Sequence, residues 1–140
     1  MTRAPRTRVG LDMTKVSDVA RSLDQFGDRY TTRVFTESEI AYCSESAGLA
    51  PERYAARFAA KEATLKVFQT DGAWPEWRSI EVVRHAGGWC EIRLHGSAAE
   101  MAAAAGVAAL SVSLTHDGDY AGAVVLAELE PLQEQQERSH

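Results

Sequence analysis

Residues 57–66 read Arg57-Phe-Ala-Ala-Lys-Glu-Ala-Thr-Leu-Lys66, a run dominated by good helix formers. Pro51 stands upstream at a position suited to the first turn of a helix, and Gly72 follows as a stop signal. The stretch therefore predicts one long helix over residues 52–68. Since no other segment predicts so long an element, we expect the rest of the fold to pack around it.

Charged side chains recur at four-residue intervals along this helix. Glu62 and Lys66 share one face, and Arg57 and Lys61 form a second row on an adjacent face. The chain has only three lysines against twelve arginines, so lysine at two of these positions favours a role for a compact, mobile charge. The alternative is a solvated ion pair, which would contribute only about 0.2–0.5 kcal/mol and imply no function.

Length and composition are those of a single domain. The chain has 140 residues, of which 45% are hydrophobic, enough for one core. We expect a folded domain over residues 8–128, with mobile polar tails at 1–7 and 129–140. No apolar stretch approaches the roughly 20 residues that span a bilayer, and no secretory signal is present, so the sequence predicts a cytoplasmic protein without membrane attachment. Cys43 and Cys90 lack metal-ligand spacing and predict two reduced thiols.

Charge is unevenly distributed along the chain. The net charge of −5 argues against nucleic-acid binding, because no basic excess is available to neutralise phosphates. Residues 1–36 nevertheless carry seven basic and four acidic side chains, a net charge of +3. This asymmetry favours a docking surface for an acidic partner, and a solvated surface of mixed charge is the alternative.

Hydrophobic periodicity and turn residues predict the remaining elements. Thr36 and Glu39 have the spacing of a capping box, which predicts a helix start. The predicted order is a strand over 8–13, helices over 17–26, 36–44 and 52–68, strands over 80–84 and 89–94, a helix over 97–105, and strands over 109–115 and 120–129. Hairpin connections between the strands indicate an α+β fold with a mainly antiparallel sheet packed against the long helix.

Two acids from separate elements are candidates for a metal site. Asp12 lies on the opening strand, on the face opposite Val9 and Leu11, and Glu62 lies on the long helix. Such a pair would repel at close range unless one is protonated or a cation lies between them, and Mg²⁺ characteristically takes one or two protein carboxylates. The alternative is that Asp12 caps a turn while Glu62 pairs with Lys66, and spacing alone does not choose between the two.

His116 ends a predicted strand before a turn, a place where functional side chains are often presented, although a single histidine is more often structural. The chain contains no Gly-x-x-x-x-Gly-Lys-Ser/Thr loop, no Gly-x-Gly-x-x-Gly and no Gly-x-Ser-x-Gly. The common nucleotide-hydrolase, dinucleotide-binding and serine-hydrolase interpretations are therefore excluded.

Five segments match the pattern of one family, and the combination of a Gly-x-Asp strand with a Lys-Glu-Ala-x-x-Lys helix among them is specific. They are Val9-Gly10-Leu11-Asp12, Arg33-Val-Phe-Thr-x-x-Glu39, Arg57-Phe-Ala-Ala-Lys-Glu-Ala-x-x-Lys66, Leu94-x-Gly96-x-Ala98 and Ser113-Leu-Thr-His-Asp-x-Asp-Tyr-Ala121. On these segments the chain resembles the small, single-domain holo-[acyl-carrier-protein] synthases among the 4′-phosphopantetheinyl transferases. The segments occur in the family's order over almost all of residues 8–128.

The resemblance implies a reaction and a set of roles. It implies Mg²⁺-dependent transfer of the phosphopantetheine arm of coenzyme A to a serine of an apo acyl carrier protein, with release of adenosine 3′,5′-bisphosphate. The implied active form is a homotrimer with sites between subunits. The implied metal ligands are Asp12 and Glu62, the catalytic residues are Glu62 and Lys66, and the coenzyme A-binding residues are Arg57, Lys61, Lys66 and His116.

The acidic carrier gives the basic N-terminal third a partner, and Arg21, Arg29 and Arg33 are the candidate docking residues. Glu62 is the preferred acceptor of the serine proton, and a water held by Asp12 is the alternative.

Three departures from the family pattern accompany these matches. Asp18 stands where the family usually has an arginine on the docking helix, residues 69–72 replace a Gly-Thr-Gly turn, and Gly87-Gly-Trp-Cys90 replaces a Gly-x-Pro hairpin. These departures motivate a second hypothesis, in which the chain is a catalytically inactive carrier-binding or scaffold member of the same fold. A third possibility is an unrelated metal-dependent phosphotransferase.

Overall fold

The computed structural model describes residues 6–131, which form helices and antiparallel sheets, so the predicted α+β class is confirmed. In chain order the elements are β1 (Thr7–Lys15), α1 (Val16–Phe26), α2 (Asp28–Val34), α3 (Glu37–Cys43), α4 (Ala50–Phe68), a 3-10 turn (Trp77–Ser79), β2 (Ile80–Arg84), β3 (Cys90–Leu94), α5 (Gly96–Ala104), β4 (Val107–Asp117) and β5 (Tyr120–Leu129).

The strands form two antiparallel sheets. The larger has the order β1-β5-β4, and the hairpin of β2 and β3 forms the smaller. Asp12 of β1 pairs in register with Ala123 of β5, which pairs in turn with Leu114 of β4. The strands β1 and β4 are therefore the two edges of the larger sheet, and whatever they carry is separated by the width of β5.

Helix α4 lies at the centre of the fold. Its alanines Ala55, Ala59, Ala60 and Ala63 are fully buried, and each contacts a hydrophobic core cluster that includes residues from the sheets or the other helices. Small side chains let neighbouring backbones approach from several sides of the helix, so α4 is covered around most of its circumference rather than along one stripe. The structure thus confirms that the fold packs around the long helix.

The other face of the larger sheet carries exposed apolar side chains. Val9, Leu11 and Met13 alternate with the inward positions of β1 and are 61–65% exposed. Their neighbours Val124 and Leu126 on β5 are about 40% exposed and lie beside Leu11 and Val9 in register. In the described part of the chain no helix covers this surface, which we call the open sheet face.

Local signals account for most element boundaries. The capping box is present, because the Thr36 hydroxyl accepts from the Glu39 N–H while the Glu39 carboxylate accepts from the Thr36 N–H. Gly27, at φ 50°, ends α1 after Phe26, where the predicted helix ends, but the sequence prediction missed α2, which starts directly after this glycine.

Helix α1 begins at Val16, one residue before the predicted start, and the N–H and hydroxyl of Ser17 both donate to the Asp119 carboxylate.

The domain limits extend slightly beyond the predicted ones. Thr7 belongs to β1 and Leu129 to β5, and Glu130 is buried with its N–H donating to the Gly106 carbonyl. The predicted mobility of residues 1–5 and 132–140 concerns positions outside the described residues.

Both cysteines are free, and burial raises the pKa of the Cys43 thiol to about 12, which makes it unreactive. No helix among the residues described is both long and apolar enough to cross a membrane.

Candidate active site

The structure brings Asp12, Glu62 and Lys66 together where β1 crosses α4. The Lys66 ammonium donates to the Leu11 carbonyl at 2.6 Å and lies 3.4 Å from the Asp12 carboxylate. Asp12 lies on the face of β1 opposite Val9 and Leu11, as predicted; this face turns inward, and the Asp12 side chain is 21% exposed. An acid and a base from distant parts of the sequence therefore meet at one partly open edge of the sheet.

Electrostatics place Glu62 in the same group. Burial, and next the negative charge of Asp12, raise the pKa of the Glu62 carboxyl above its ordinary value of 4.5, and the Lys66 ammonium opposes this shift. A carboxyl whose pKa is raised by a second acid is close enough to that acid to repel it. The two carboxylates lie near one another with a single ammonium beside them. An additional cation at this site would therefore reduce the repulsion between the two acids.

The donor set fits a magnesium ion. Among residues 6–131 no three His, Cys, Asp or Glu side chains lie close enough together to form a protein-only metal cage. Mg²⁺ does not require one, because it binds to one or two carboxylates and completes its octahedron with waters and substrate phosphate oxygens. Asp12 and Glu62, two hard oxygen donors that repel each other in the absence of a cation, match that pattern.

Lys61 does not lie where the sequence interpretation put it. The resemblance implies that Lys61 binds coenzyme A, yet its side chain is fully buried. Its ammonium donates to the Glu39 carboxylate at 2.9 Å and to the carbonyls of Trp77 and Ile80. With its donors committed to buried acceptors, Lys61 has a structural role and is not available to a phosphate. The prediction failed because α4 is covered on the side that Lys61 faces.

Arg57 lines a cleft of about 630 Å³ between the first turns of α4, the β2–β3 hairpin and β4. Three guanidiniums, those of Arg53, Arg57 and Arg84, lie 4.3, 4.4 and 5.0 Å from the centre of the Tyr42 ring. The Arg53 guanidinium also pairs with Glu45 at 3.5 Å, whereas Arg57 is held by the Tyr42 ring and the Arg53 carbonyl without a carboxylate. The four-residue spacing of Arg53 and Arg57 was visible in the sequence, whereas nothing there linked Tyr42 and Arg84 to them.

His116 contributes to the same cleft from β4. Its ring nitrogen Nε2 lies 3.0 Å from the Glu52 carboxylate on the first turn of α4, and its side chain is 62% exposed. Trp89 of the hairpin, also well exposed, lines the opposite side of the cleft. Arg57 and His116 therefore share one cleft, as their predicted common role requires.

Within the single chain, this cleft and the acid pair lie apart. Asp12 is on β1 and His116 on β4, the opposite edges of the larger sheet. Along α4, Glu62 follows Arg57 by five residues, which corresponds to a rotation of roughly 140° and a rise of about 7.5 Å. The predicted site residues thus fall into two half-sites, which we call the acid half-site (Asp12, Glu62, Lys66) and the arginine cleft (Arg53, Arg57, Arg84, His116).

The predicted docking arginines also separate. Arg29 and Arg33 of α2 line a groove against residues 75–78, whereas Arg21 of α1 pairs with Asp18 at 3.5 Å on an exposed surface and does not line that groove.

After α4 the chain turns at Gln69, which adopts a left-handed conformation with φ 52°. The turn in place of the expected glycines is therefore formed by a strained non-glycine residue.

Comparisons with known proteins identify one family. Residues 8–125 match the model of the 4′-phosphopantetheinyl transferase superfamily. The chain is 41% identical over 120 residues to a holo-[acyl-carrier-protein] synthase of Koribacter versatilis, covering 85% of this chain and 95% of that protein. It is 45% identical over 128 residues to one of Methylobacterium nodulans, covering 88% and 96%. The Chronobacterium ammoniagenes ACPS-CoA complex superimposes with a TM-score of 0.77 at 28% identity, covering 91% of this chain and all of that one.

Proposed function

The chain belongs to the holo-[acyl-carrier-protein] synthases of the 4′-phosphopantetheinyl transferase superfamily, and we propose that it moves the phosphopantetheine arm of coenzyme A to a serine of an apo acyl carrier protein. The observation that carries the proposal is the acid half-site, where burial and the negative charge of Asp12 raise the pKa of Glu62 and the Lys66 ammonium lies 3.4 Å from the Asp12 carboxylate. Adenosine 3′,5′-bisphosphate is the proposed second product. The proposal retains the cytoplasmic location expected from the sequence.

Asp12 and Glu62 are the proposed ligands of a Mg²⁺ ion. A Mg²⁺ ion bound there would supply positive charge that neutralises phosphate charge of the substrate. The rest of the reaction falls to the protein's own residues. Lys66, a mobile ammonium 3.4 Å from the Asp12 carboxylate, balances charge on the transferred phosphoryl group, whose transition state is loose and depends on positioning.

The chemical step exchanges one phosphorus–oxygen bond for another. The serine hydroxyl oxygen bonds to the phosphorus that carries the pantetheine arm, and the bridging bond to the nucleotide phosphate breaks with its electrons leaving on the nucleotide. The serine proton passes to Glu62, the carboxylate that α4 contributes to the acid half-site. A water held by Asp12 is the alternative acceptor.

The arginine cleft is the proposed site of the nucleotide part of coenzyme A. Arg57, with Arg53 and Arg84 around Tyr42, supplies three guanidiniums suited to phosphate oxygens. His116 adds a ring nitrogen at the mouth of the cleft. Lys61, buried against Glu39, is no longer among the proposed coenzyme A-binding residues.

A homotrimer is the proposed active form. The open sheet face exposes Val9, Leu11 and Met13 of β1 beside Val124 and Leu126 of β5, a contiguous apolar surface that a folded monomer rarely leaves uncovered. The two half-sites occupy opposite edges of the same sheet. Packing sheets of neighbouring protomers would cover the apolar surface and bring the acid half-site of one protomer to the arginine cleft of the next.

The decisive experiment is a mass measurement on the carrier. The protein is incubated with coenzyme A, Mg²⁺ and a panel of apo carrier proteins, and one carrier should gain the mass of one phosphopantetheine arm. Reactions with a chelator, and with Glu62→Gln, should show no gain. If no carrier gains mass although one binds, and coenzyme A binds without dependence on Mg²⁺, the inactive carrier-binding hypothesis replaces the proposal. Failure to bind coenzyme A at all would favour an unrelated phosphotransferase.

A further inference from the structure

Tyr42 lies where three elements meet at the arginine cleft. It is the penultimate residue of α3, and it lines the cleft together with Arg53 and Arg57 of α4 and Arg84 at the end of β2. The centre of its ring is 5.0 Å or less from the guanidinium carbon of each of these arginines. Its backbone carbonyl also accepts from the Arg53 guanidinium at 3.0 Å. One tyrosine therefore contacts every arginine that lines the cleft.

The three guanidiniums are crowded around this ring. Their central carbons lie 4.3, 4.4 and 5.0 Å from one ring centre, so any two of them are within about 10 Å of each other, where physiological salt does not fully screen their repulsion. Glu45 pairs with Arg53, but its side chain is 65% exposed and does not line the cleft. The negative face of an aromatic ring attracts a cation, so the Tyr42 ring opposes the repulsion that would drive the guanidiniums apart.

Arg57 shows that the charge of the cleft is directed at a ligand. The residue is only 5% exposed although it lines an open cleft, and its guanidinium, with five N–H donors, donates to the Arg53 carbonyl at 3.3 Å. Among the described residues that line the cleft, Glu52 is the only carboxylate, and it lies 3.0 Å from the His116 ring nitrogen. Three guanidiniums therefore face one carboxylate, an excess of positive charge that an anionic ligand would balance.

We propose that Tyr42 is a positioning residue for the nucleotide phosphates of coenzyme A, because its ring holds the three guanidiniums of the arginine cleft in one convergent arrangement before the nucleotide binds. The inference rests on the proposed function, which assigns the cleft to the nucleotide. In this role Tyr42 acts through the arginines. It raises affinity because less conformational freedom is lost, and less repulsion is overcome, when the phosphates bind.

Tyr30 provides a matched comparison for Tyr42. Both tyrosines are half-buried and pack against the core cluster that contains Phe35 and Cys43. Tyr30 packs on Phe35 with ring centres 5.9 Å apart and does not line the cleft. Of the two tyrosines, Tyr42 is the one that contacts the guanidiniums of the cleft. Loss of the Tyr30 ring therefore reports the cost of removing an aromatic side chain from this cluster without disturbing the arginines.

The test compares Tyr42→Leu with Tyr42→Phe, and Tyr30→Leu is the control. Calorimetric titration with adenosine 3′,5′-bisphosphate measures binding, and KM for coenzyme A and kcat are measured on the same proteins. We expect Tyr42→Leu to weaken binding and to raise the KM about ten-fold or more, with kcat changed by less than about two-fold. Tyr42→Phe keeps the aromatic face, so it should bind within about two-fold of the unaltered protein, as should Tyr30→Leu.

Two further measurements separate positioning from a general loss of stability. In protein with 15N-labelled arginines and no nucleotide, the guanidinium protons of Arg53, Arg57 and Arg84 should show upfield shifts from the ring in the unaltered protein and in Tyr42→Phe, but not in Tyr42→Leu. Pentafluorophenylalanine at position 42 keeps the shape of the ring and removes the negative charge of its face. That variant should bind as weakly as Tyr42→Leu, and it serves as the test if the leucine variant does not fold.

Equal affinities of Tyr42→Leu and Tyr42→Phe for adenosine 3′,5′-bisphosphate would overturn the inference. An equal loss in Tyr30→Leu, or no binding of this nucleotide by the unaltered protein, would also overturn it. If the unaltered protein transfers the phosphopantetheine arm in any of these cases, the proposed function stands without the role of Tyr42. If it modifies no carrier yet binds the nucleotide in a manner that depends on the Tyr42 ring, the inference holds and the catalytic proposal fails.

Discussion

Gly10 of β1 lies against Ala63 of α4 so closely that a methyl group on its Cα would stand 2.1 Å from the Ala63 carbonyl oxygen. No real side-chain carbon approaches an oxygen to that distance, so the contact requires glycine. Asp12 is two residues further along the same face of β1, and Glu62 precedes Ala63. The glycine therefore sets the distance between the strand and the helix that together carry the acid half-site.

Gly10→Ala should separate β1 from α4. The obstructing atom belongs to the backbone of a buried helix, so neither β1 nor α4 can move aside without loss of packing. We therefore expect a loss of about 2–3 kcal/mol in the free energy of unfolding. Urea denaturation followed by circular dichroism measures it. The control is Gly48→Ala, since a methyl group there meets nothing within 4 Å. If Gly10→Ala is as stable as Gly48→Ala, the close approach of β1 to α4 is wrong.

Lys61→Met should be strongly destabilising. It removes the cation from a buried pair in which the Glu39 carboxylate also accepts from the N–H groups of Thr36 and Val82, and it leaves that carboxylate without a counter-charge. Loss of one partner from such a pair costs about 3–5 kcal/mol. Lys15→Met is the control, because Lys15 is exposed and should change stability by less than about 0.5 kcal/mol. A loss in Lys61→Met as small as in the control would contradict the structural role.

Gly10 and Lys61 show which features of the fold could be predicted from the sequence and which could not. The existence of α4 and of the capping box followed from local signals, namely helix propensity and the Thr36 to Glu39 spacing, and the structure confirms both. The burial of Lys61 depends on which neighbours cover α4, and no periodicity in a helix so rich in alanine reports that. Alternation placed Gly10 and Asp12 on one face of β1 and Val9 and Leu11 on the other. It did not predict that the face with the glycine and the acid turns inward while the apolar face is exposed.

Asp12→Asn should lower the pKa of Glu62 in the metal-free protein without returning it to 4.5. Burial is the larger cause of the raised pKa and remains in the variant, whereas the charge of Asp12 is removed. Titration of the Glu62 side-chain carboxyl by carbon-detected NMR measures the change. An unchanged Glu62 pKa in Asp12→Asn would mean that the two acids are too far apart to share a cation.

The raised pKa of Glu62 also predicts that the stability of the protein depends on pH. A carboxyl whose folded pKa is raised favours folding while it is protonated, and this contribution is lost as pH rises from the unfolded value through the folded one. Glu62→Gln keeps the neutral form at every pH, so in the absence of divalent metal its melting temperature at neutral pH should exceed that of the unaltered protein. Glu100→Gln, at an exposed position on α5, serves as the control and should show no increase. A lower melting temperature for Glu62→Gln than for Glu100→Gln would contradict the pKa shift.

Val124→Arg should prevent assembly. Val124 lies near the middle of the open sheet face, between Leu11 of β1 and Ser113 of β4, and burying an unpaired guanidinium between sheets is unfavourable. We expect the unaltered protein to sediment as a trimer and Val124→Arg as a monomer with a loss of activity exceeding about 100-fold, because a lone protomer has only separated half-sites. Phe26→Glu changes an exposed apolar residue off this face and should leave the trimer intact. A monomeric unaltered protein, or an active monomeric variant, would contradict the prediction.

Complementation between two inactive variants tests whether the half-sites come from different protomers. Asp12→Asn disables the acid half-site and keeps the arginine cleft, whereas Arg57→Ala does the reverse, and each alone should be nearly inactive. When the two are unfolded together in equal amounts and refolded, random assembly joins an intact acid half-site to an intact cleft at roughly one site in four, so about a quarter of the activity should return. Mixing without refolding is the control and should restore little. If each protomer instead held its own complete site, every site in the mixture would carry one of the two substitutions, and refolding would restore nothing.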